Sequence, residues 1–227
     1  MVDWFERTVV LNVDKRAGAR QDIIDELARL GTYYPELFIV GEGKLFPKEY
    51  YDRINEEPSK AWSSGKFARL KNSYNAFLSY QDIIKKAKVD KINNLLLLED
   101  DVQFRVNART LLESTFNVFR NNELPAFDLL YLGANHTWAN TKIVSQNLLK
   151  VFGSVCWHAI VVNHRLFDEI LSWVPDRPID DKAKDLHKDY NCYAIWPSAA
   201  IQKPGFSNVE GRFVDYSQYW SNIGDTT

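Results

Sequence analysis

Short aliphatic runs alternate along this chain with stretches whose apolar residues recur every three or four positions, a rhythm of strands and helices taken in turn. Arg7 to Val13 reads as a first strand, with Val9, Val10, Leu11 and Val13 giving way to Asp14-Lys15-Arg16. From Arg20 to Leu30, the residues Ile23, Ile24, Leu27 and Leu30 fall at helical spacing, and Gly31 stands where a C-terminal cap belongs. Leu37-Phe38-Ile39-Val40 reads as a second strand closed by Gly41-Glu42-Gly43, so the order suggests a parallel crossover unit. Residues 44–65, with Pro47, Pro58 and Ser63-Ser64-Gly65, read as an irregular excursion. A long helix is predicted next, on Ala68, Leu70, Tyr74, Phe77, Leu78, Gln81, Ile84 and Ala87. Lys85, Lys86 and Lys88 lie near its end, where cations complement the helix dipole.

Leu95 to Leu98 has no alternation at all, which predicts a strand buried on both faces, and Glu99-Asp100-Asp101 follows at once. Further on, Ala108 to Phe119 reads as a helix burying Leu111, Leu112, Phe116 and Phe119, and Phe127 to Gly133 as a strand. Leu148 to Phe152 and Val155 to Val162 read as strands broken at Gly153-Ser154, and His164 to Val174 as a helix ended by Pro175-Asp176-Arg177-Pro178. Asp180-Asp181 then supplies a second carboxylate pair, Cys192 to Pro197 a last short strand, and residues 198–227 a loop or lid. The fold class expected is α/β, with a central mostly parallel sheet in one domain spanning residues 1–227.

With 227 residues, 45% of them hydrophobic, the chain is large enough to bury a full core. Its 28 Lys+Arg against 30 Asp+Glu leave a formal charge of -2, which gives no global drive toward nucleic acid. Met1 to Arg7 lacks the build of a signal peptide, and no transmembrane segment is expected because no apolar run reaches the length of a membrane span. These features predict a cytoplasmic protein. Cys156 and Cys192 sit in apolar, strand-like surroundings and read as buried free thiols. Asn135-His136-Thr137 matches a glycosylation acceptor, read as accidental without a secretory signal.

Three adjacent carboxylates repel one another unless a cation or hydrogen-bonded partners offset the charge, and open α/β sheets bind ligands at the carboxyl ends of their strands. Glu99, Asp100 and Asp101 therefore point to Mg²⁺ or Mn²⁺ carrying a phosphate-bearing ligand, since such ions bind through one or two carboxylates plus substrate phosphates. The plainer alternative is that they begin a loop.

The order of motifs resembles the family 25 glycosyltransferases, which include lipooligosaccharide and collagen galactosyltransferases. Val9 to Arg16 resembles the family's opening strand and "N-L-D-R-R" turn, with Arg20 as a second basic residue, and Leu96 to Val102 resembles its "I-L-E-D-D" signature. Asp128 to Gly133 is similar to its "D-x-x-x-L-G" strand. Gly153 to Val162, Pro178 to Asp181, and Pro197, Gln202 and Ser207 resemble its closing order. One departure stands ahead of the acidic signature: where the family has "G-x-x-G-C…S-H", this chain has Gly65, Ala68, Arg69, Asn72, Ser73 and Tyr74.

The resemblance implies a GT-A type, Rossmann-like α/β/α sandwich. It also implies a nucleotide-binding half over residues 1–105 and an acceptor-side half with a C-terminal loop or lid over 106–227. It implies transfer of a hexose from a nucleotide sugar, most simply a UDP-sugar, to a glycan or hydroxylated acceptor, with Mn²⁺ or Mg²⁺ assisting. Asp101 is then the direct metal ligand and Glu99 a second ligand or a ribose contact. Asp100, counted with the cofactor-binding residues, points the other way, toward support or the acceptor side, while Asn12, Arg16, Lys71, Asn72 and Ser207 are nucleotide contacts.

An inverting transfer also needs a base, for which Asp180 and Asp181 are the candidates, with Asp180 favoured by the "P-x-D" spacing; the alternative is a helix N-cap. His136, His158 and His187 are weaker metal candidates, with His158 read as a core or cleft residue. Trp138, Trp157, Trp196 and Trp220 offer stacking faces or fill the core. Gln202 to Arg212, including Asn208, is a segment that could close over a diphosphate. Two other readings use the same residues: a noncatalytic nucleotide-sugar or glycan-binding module, and a metal-dependent phosphohydrolase or nucleotidyltransferase.

Overall fold

A computed structural model describes residues 4–13, 17–31, 35–40, 66–135, 140–207 and 212–216. The expected excursion over 44–65 lies outside them. Strand β1 (Arg7–Val13), helix α1 (Ala17–Leu30) and strand β2 (Glu36–Val40) form the first crossover, with β1 and β2 parallel as their order predicts. Gly31, at φ +80°, donates its N–H to the Ala28 carbonyl and closes α1 in the left-handed conformation that glycine adopts without cost.

The long helix α2 (Lys66–Val89) leads into β3 (Asn94–Glu99), which lies parallel to β1. Then follow β4 (Val102–Phe104), α3 (Ala108–Arg120), β5 (Leu129–Asn135), β6 (Thr141–Ser145), β7 (Leu148–Val151) and β8 (Val155–Asn163). The helix expected over 164–174 is shorter. Asn163 caps it by accepting from the Arg165 N–H, so its first turn, His164–Leu166, is a 3-10 turn, and α4 covers only Phe167–Ser172. Two one-turn helices, α5 (Ile179–Lys182) and α6 (Leu186–Asp189), precede β9 (Cys192–Ile195). The segment expected to be a loop carries three short strands among its described residues: β10 (Ala200–Gln202), β11 (Gly205–Ser207) and β12 (Arg212–Val214).

Among the described residues, eight strands form the main sheet in the order β2-β1-β3-β8-β5-β9-β7-β6. All run the same way except β7 and β8, each antiparallel to both of its neighbours. The sheet is thus mostly parallel in direction, as expected, with one reversed strand set into its centre. The four leucines of β3 point alternately into two cores. Leu95 and Leu97 meet Phe77, Tyr80 and Ile84 of α2 with Phe167 and Ile170 of α4, whereas Leu96 and Leu98 meet Ile23 and Leu27 of α1 with Leu111 and Leu112 of α3. Helices therefore cover both faces and the architecture is an α/β/α sandwich. Among the described residues no helix is long and apolar enough to cross a membrane.

Buried polar groups pin this frame. Asp128 accepts from Arg165 Nε at 2.6 Å and from the Asn191 N–H at 2.8 Å, tying the start of β5 to β8 and β9. His187, on α6, meets the Tyr131 hydroxyl at 3.0 Å beneath the sheet. Both His158 and His187 are held neutral: burial pushes each down to about 4. The unfolded chain takes up these protons near the ordinary histidine value of about 6.5 while the folded chain resists. Stability contributed by their neutral burial is therefore present above about 6.5 and is lost as pH falls toward 4. Urea denaturation from pH 7 to pH 4 should show the His187→Gln variant with a flatter acid decline than wild type, by up to about 3 kcal/mol. Parallel curves would contradict the assignment.

Candidate active site

The acidic cluster stands where β3 ends. Register places Glu99 beside Leu11 of β1, so the next residues outward, Asp100 and Asn12, are neighbours across the sheet. The antiparallel partner β8 begins on the other flank, with Leu98 opposite Ala159. Carboxyl ends of β1, β3 and β5 thus meet the start of β8 at one edge, the place where an open α/β sheet gathers ligands.

The turn at Asp100-Asp101, between β3 and β4, sends the three carboxylates to different sides. Asp100 is buried and accepts a 2.8 Å bond from Asn12 Nδ2, also buried, so these two brace β1 against β3. Asn12 was expected at the nucleotide; in this geometry its amide supports the acidic turn. Replacing Asn12 by alanine removes a hydrogen bond to a buried carboxylate and should lower the unfolding free energy by about 1–3 kcal/mol in a denaturant titration. No change would mean the pair contributes nothing net.

Glu99 and Asp101 face the opposite way, toward α2. One amide joins them: Gln202 Nε2 donates to Asp101 Oδ2 at 3.1 Å and to Glu99 Oε2 at 3.5 Å. The Tyr80 hydroxyl, on α2, lies 3.0 Å from Glu99 Oε1 and 3.2 Å from the Trp157 carbonyl. Burial, followed by the charge of Asp101, pushes the Glu99 carboxyl up to about 8.

Gln202 reaches the cluster because the last described segment folds back over it. The Ala199 N–H donates to the Leu132 carbonyl at 2.8 Å, β10 pairs antiparallel with β4 so that Gln202 lies opposite Val102, and the Lys203 N–H donates to the Asp101 carbonyl at 2.8 Å. Gly133 permits this close approach. A Cβ there would press into the Ala200 carbonyl and come within 2.5 Å of His158 Nε2.

Asp180 approaches from the other side. It lies in the first turn of α5 without capping it, since the cap position is Pro178 and no side chain caps the helix. Instead Asp180 Oδ2 accepts from the Cys156 N–H at 3.0 Å and Oδ1 from the Asp181 N–H at 2.9 Å. Burial raises its carboxyl, and it is close enough for its charge to act on both Glu99 and Tyr80. Cys156 itself takes φ +71°, a left-handed conformation unusual for a non-glycine residue, at the foot of β8 where the β5–β8 register shifts. That twist turns its N–H toward Asp180. Asn135 Nδ2 reaches its Sγ at 3.0 Å.

Asp181 is set apart from this group, bound to Lys184 at 2.5 Å and Arg177 at 3.5 Å in partly exposed ion pairs. Asn72 is half-buried on α2, and Ser207 lies on β11 opposite Arg212 of β12. Arg16, His136, Trp138, Asn208 and Trp220 lie outside the described residues, as do the side chains of Arg20 and Lys71. Trp157 is core, stacked edge-on to Tyr80 at 5.4 Å, and Trp196 packs at the core's margin. Cys156 and Cys192 are both free thiols; Cys192 is buried and Cys156 partly so.

The residues that sequence reasoning passed over are Tyr80, hidden within an amphipathic stripe, and Cys156, whose backbone rather than its thiol is used. Among the described residues no group of three or more His, Cys, Asp or Glu side chains is arranged to hold a metal ion. The donor set still fits a hard divalent cation. Asp101 and Glu99 offer carboxylate oxygens on one side, already shared by a single donor.

No protein-family model and no curated protein matches the chain. Among solved structures it is similar to A197 from STIV, at 12% identity and a TM-score of 0.47 over 92% of this chain and 93% of that one. It is similar also to UDP-glucose pyrophosphorylase complexed with UDP-glucose, at 8% identity and a TM-score of 0.47 over 83% and 89%. A glycosyltransferase involved in the glycosylation of the major capsid of PBCV-1 overlaps at 12% identity and a TM-score of 0.35 over 81% and 68%. These are distant likenesses in the course of the chain.

Proposed function

We propose that this chain is a glycosyltransferase of the GT-A, family 25 type that moves a hexose from a nucleotide sugar, a UDP-sugar, to a glycan or hydroxylated acceptor. The observation that carries this reading is the pair Glu99 and Asp101 at the end of β3, bridged by Gln202, with Asp180, fixed by two backbone N–H groups, near enough for its charge to act on Glu99. In this reading residues 1–105 form the nucleotide side and residues 106–227 the acceptor side, with Asn72 and Ser207 at the nucleotide.

Asp101, with Glu99, would hold Mg²⁺ or Mn²⁺, which supplies Lewis-acid stabilisation to the charge developing on the departing diphosphate. Asp180 is the base. Its two backbone bonds keep the carboxylate oriented while burial raises its proton affinity, the combination suited to taking a proton from a neutral hydroxyl. The acceptor oxygen forms its bond to the anomeric carbon as the bond to the diphosphate breaks; the hydroxyl proton passes to Asp180, and the diphosphate departs with the bonding electron pair. Attack opposite the leaving group inverts the anomeric centre. Tyr80 keeps Glu99 in place from α2 and excludes water from its inner side.

The test is thermal unfolding with UDP, GDP, CMP and dTDP, each with and without Mn²⁺. A ligand bound only by the folded state at about a hundredfold its dissociation constant adds roughly 2.7 kcal/mol. Stabilisation by one nucleotide, only with the metal, and its loss in the Asp101→Ala variant are expected. No shift under any condition would overturn the nucleotide-sugar reading. Release of pyrophosphate from a UDP-sugar, in place of intact UDP, would assign the site to nucleotidyl transfer instead.

A further inference from the structure

We infer that the Gln202 side chain is a displaceable lock on the acidic pair: its amide engages the carboxyl oxygens of Glu99 and Asp101 that would hold a divalent cation, so cation binding displaces it. The inference rests on the proposed metal role of these two carboxylates and adds a residue that regulates access to them.

One nitrogen donates to Asp101 Oδ2 at 3.1 Å and to Glu99 Oε2 at 3.5 Å, and therefore lies between oxygens of two different side chains. Nε2 is the donor in both contacts, so the NH2 end of the amide is the end that faces the two carboxyl groups. Asp101, with Glu99, would hold a hard divalent cation through these carboxylate oxygens, and such cations take oxygen ligands at shorter range than an amide nitrogen does, about 2.0–2.1 Å for Mg²⁺. Amide and cation thus compete for the same two carboxyl groups.

The backbone beneath Gln202 is held independently of this contact. The Lys203 N–H is bonded to the Asp101 carbonyl, β10 is paired to β4, and the Lys203 ammonium reaches Asp22 at 3.2 Å. The side chain can therefore swing out while β10 stays seated. The lock is weak by construction, since one of its two bonds is at the limit of a hydrogen bond, and that suits a group meant to yield.

The experiment is Mn²⁺ binding without nucleotide, read from the loss of the free-ion electron paramagnetic resonance signal, for wild type, Gln202→Ala and Gln202→Glu. Removing a competing amide should tighten Mn²⁺ binding of Gln202→Ala by about threefold to tenfold. Gln202→Glu, which replaces the donor with a third carboxylate at the same length, should bind more tightly still. A residue that merely supports the site would show the reverse, and weaker or unchanged binding in Gln202→Ala with measurable binding in wild type overturns the lock alone. Absence of Mn²⁺ binding in all three proteins, both alone and with UDP added, with folding intact by circular dichroism, overturns the metal reading and the lock with it.

Discussion

Alanine at Gly133 is expected to destabilise the protein by more than about 3 kcal/mol, the upper range for forcing atoms into a packed interior. The added carbon has nowhere to go. It meets the Ala200 carbonyl on one side and His158 on the other, and the first of these is backbone anchored through the neighbouring Ala199 N–H to Leu132. Relief requires β10 to lift from β5, and β10 carries Gln202. The same substitution should therefore loosen the acidic pair even in molecules that remain folded. Chemical denaturation should give the stability loss, and hydrogen exchange should show faster exchange at the Ala199 and Lys203 amides. A variant within about 1 kcal/mol of wild type would mean that the β5–β10 approach is softer than the geometry indicates.

Asparagine at Asp101 should reduce sugar transfer by at least about 100-fold, the order found when one preorganised charge-stabilising group is removed from an active site. The isosteric amide keeps the shape of the side chain and an oxygen for Gln202, so packing at the end of β3 is unchanged. Removal of a negative charge beside Glu99 relieves the second-largest cause of that group's raised proton affinity, so the folded protein should be no less stable than wild type. Loss of activity with an unchanged or higher unfolding midpoint is the signature of a functional carboxylate. Retained transfer in Asp101→Asn would exclude it from the chemistry. The comparison with Asp181→Asn sharpens the test, because Asp181 is engaged with Lys184 and Arg177 and its loss should leave transfer within a fewfold of wild type.

Much of the frame is written locally. The leucines of β3 specify a strand buried on both faces because no spacing of polar residues offers either face to water, and they indeed divide between two cores. Helical spacing located α1, α2 and α3, and Gly31 marked the end of α1, since each signal depends only on residues within a turn or two of one another. The expectation that Asp100 parts from Glu99 and Asp101 rested on alternation along an extended chain, whereas Asp100 and Asp101 form a turn, and that turn is what separates them.

Partners distant in sequence were decided by the tertiary structure. That β8 runs backward through the centre of the sheet follows from pairing with β3 and β5, which no local pattern encodes. Asp180 and Asp181 are chemically identical neighbours in sequence. Only the left-handed turn at Cys156 and the placement of α5 against β8 bring one of them within electrostatic reach of Glu99 and leave the other among surface ion pairs. Gln202 lies about a hundred residues from the carboxylates it joins, and its β10 segment reads as an ordinary loop because its strand character comes from pairing with β4. The sequence by itself determined the elements and the chemistry available at the end of β3; packing across the sheet determined which of those groups meet, because side-chain distance depends on register and layer order rather than on spacing along the chain.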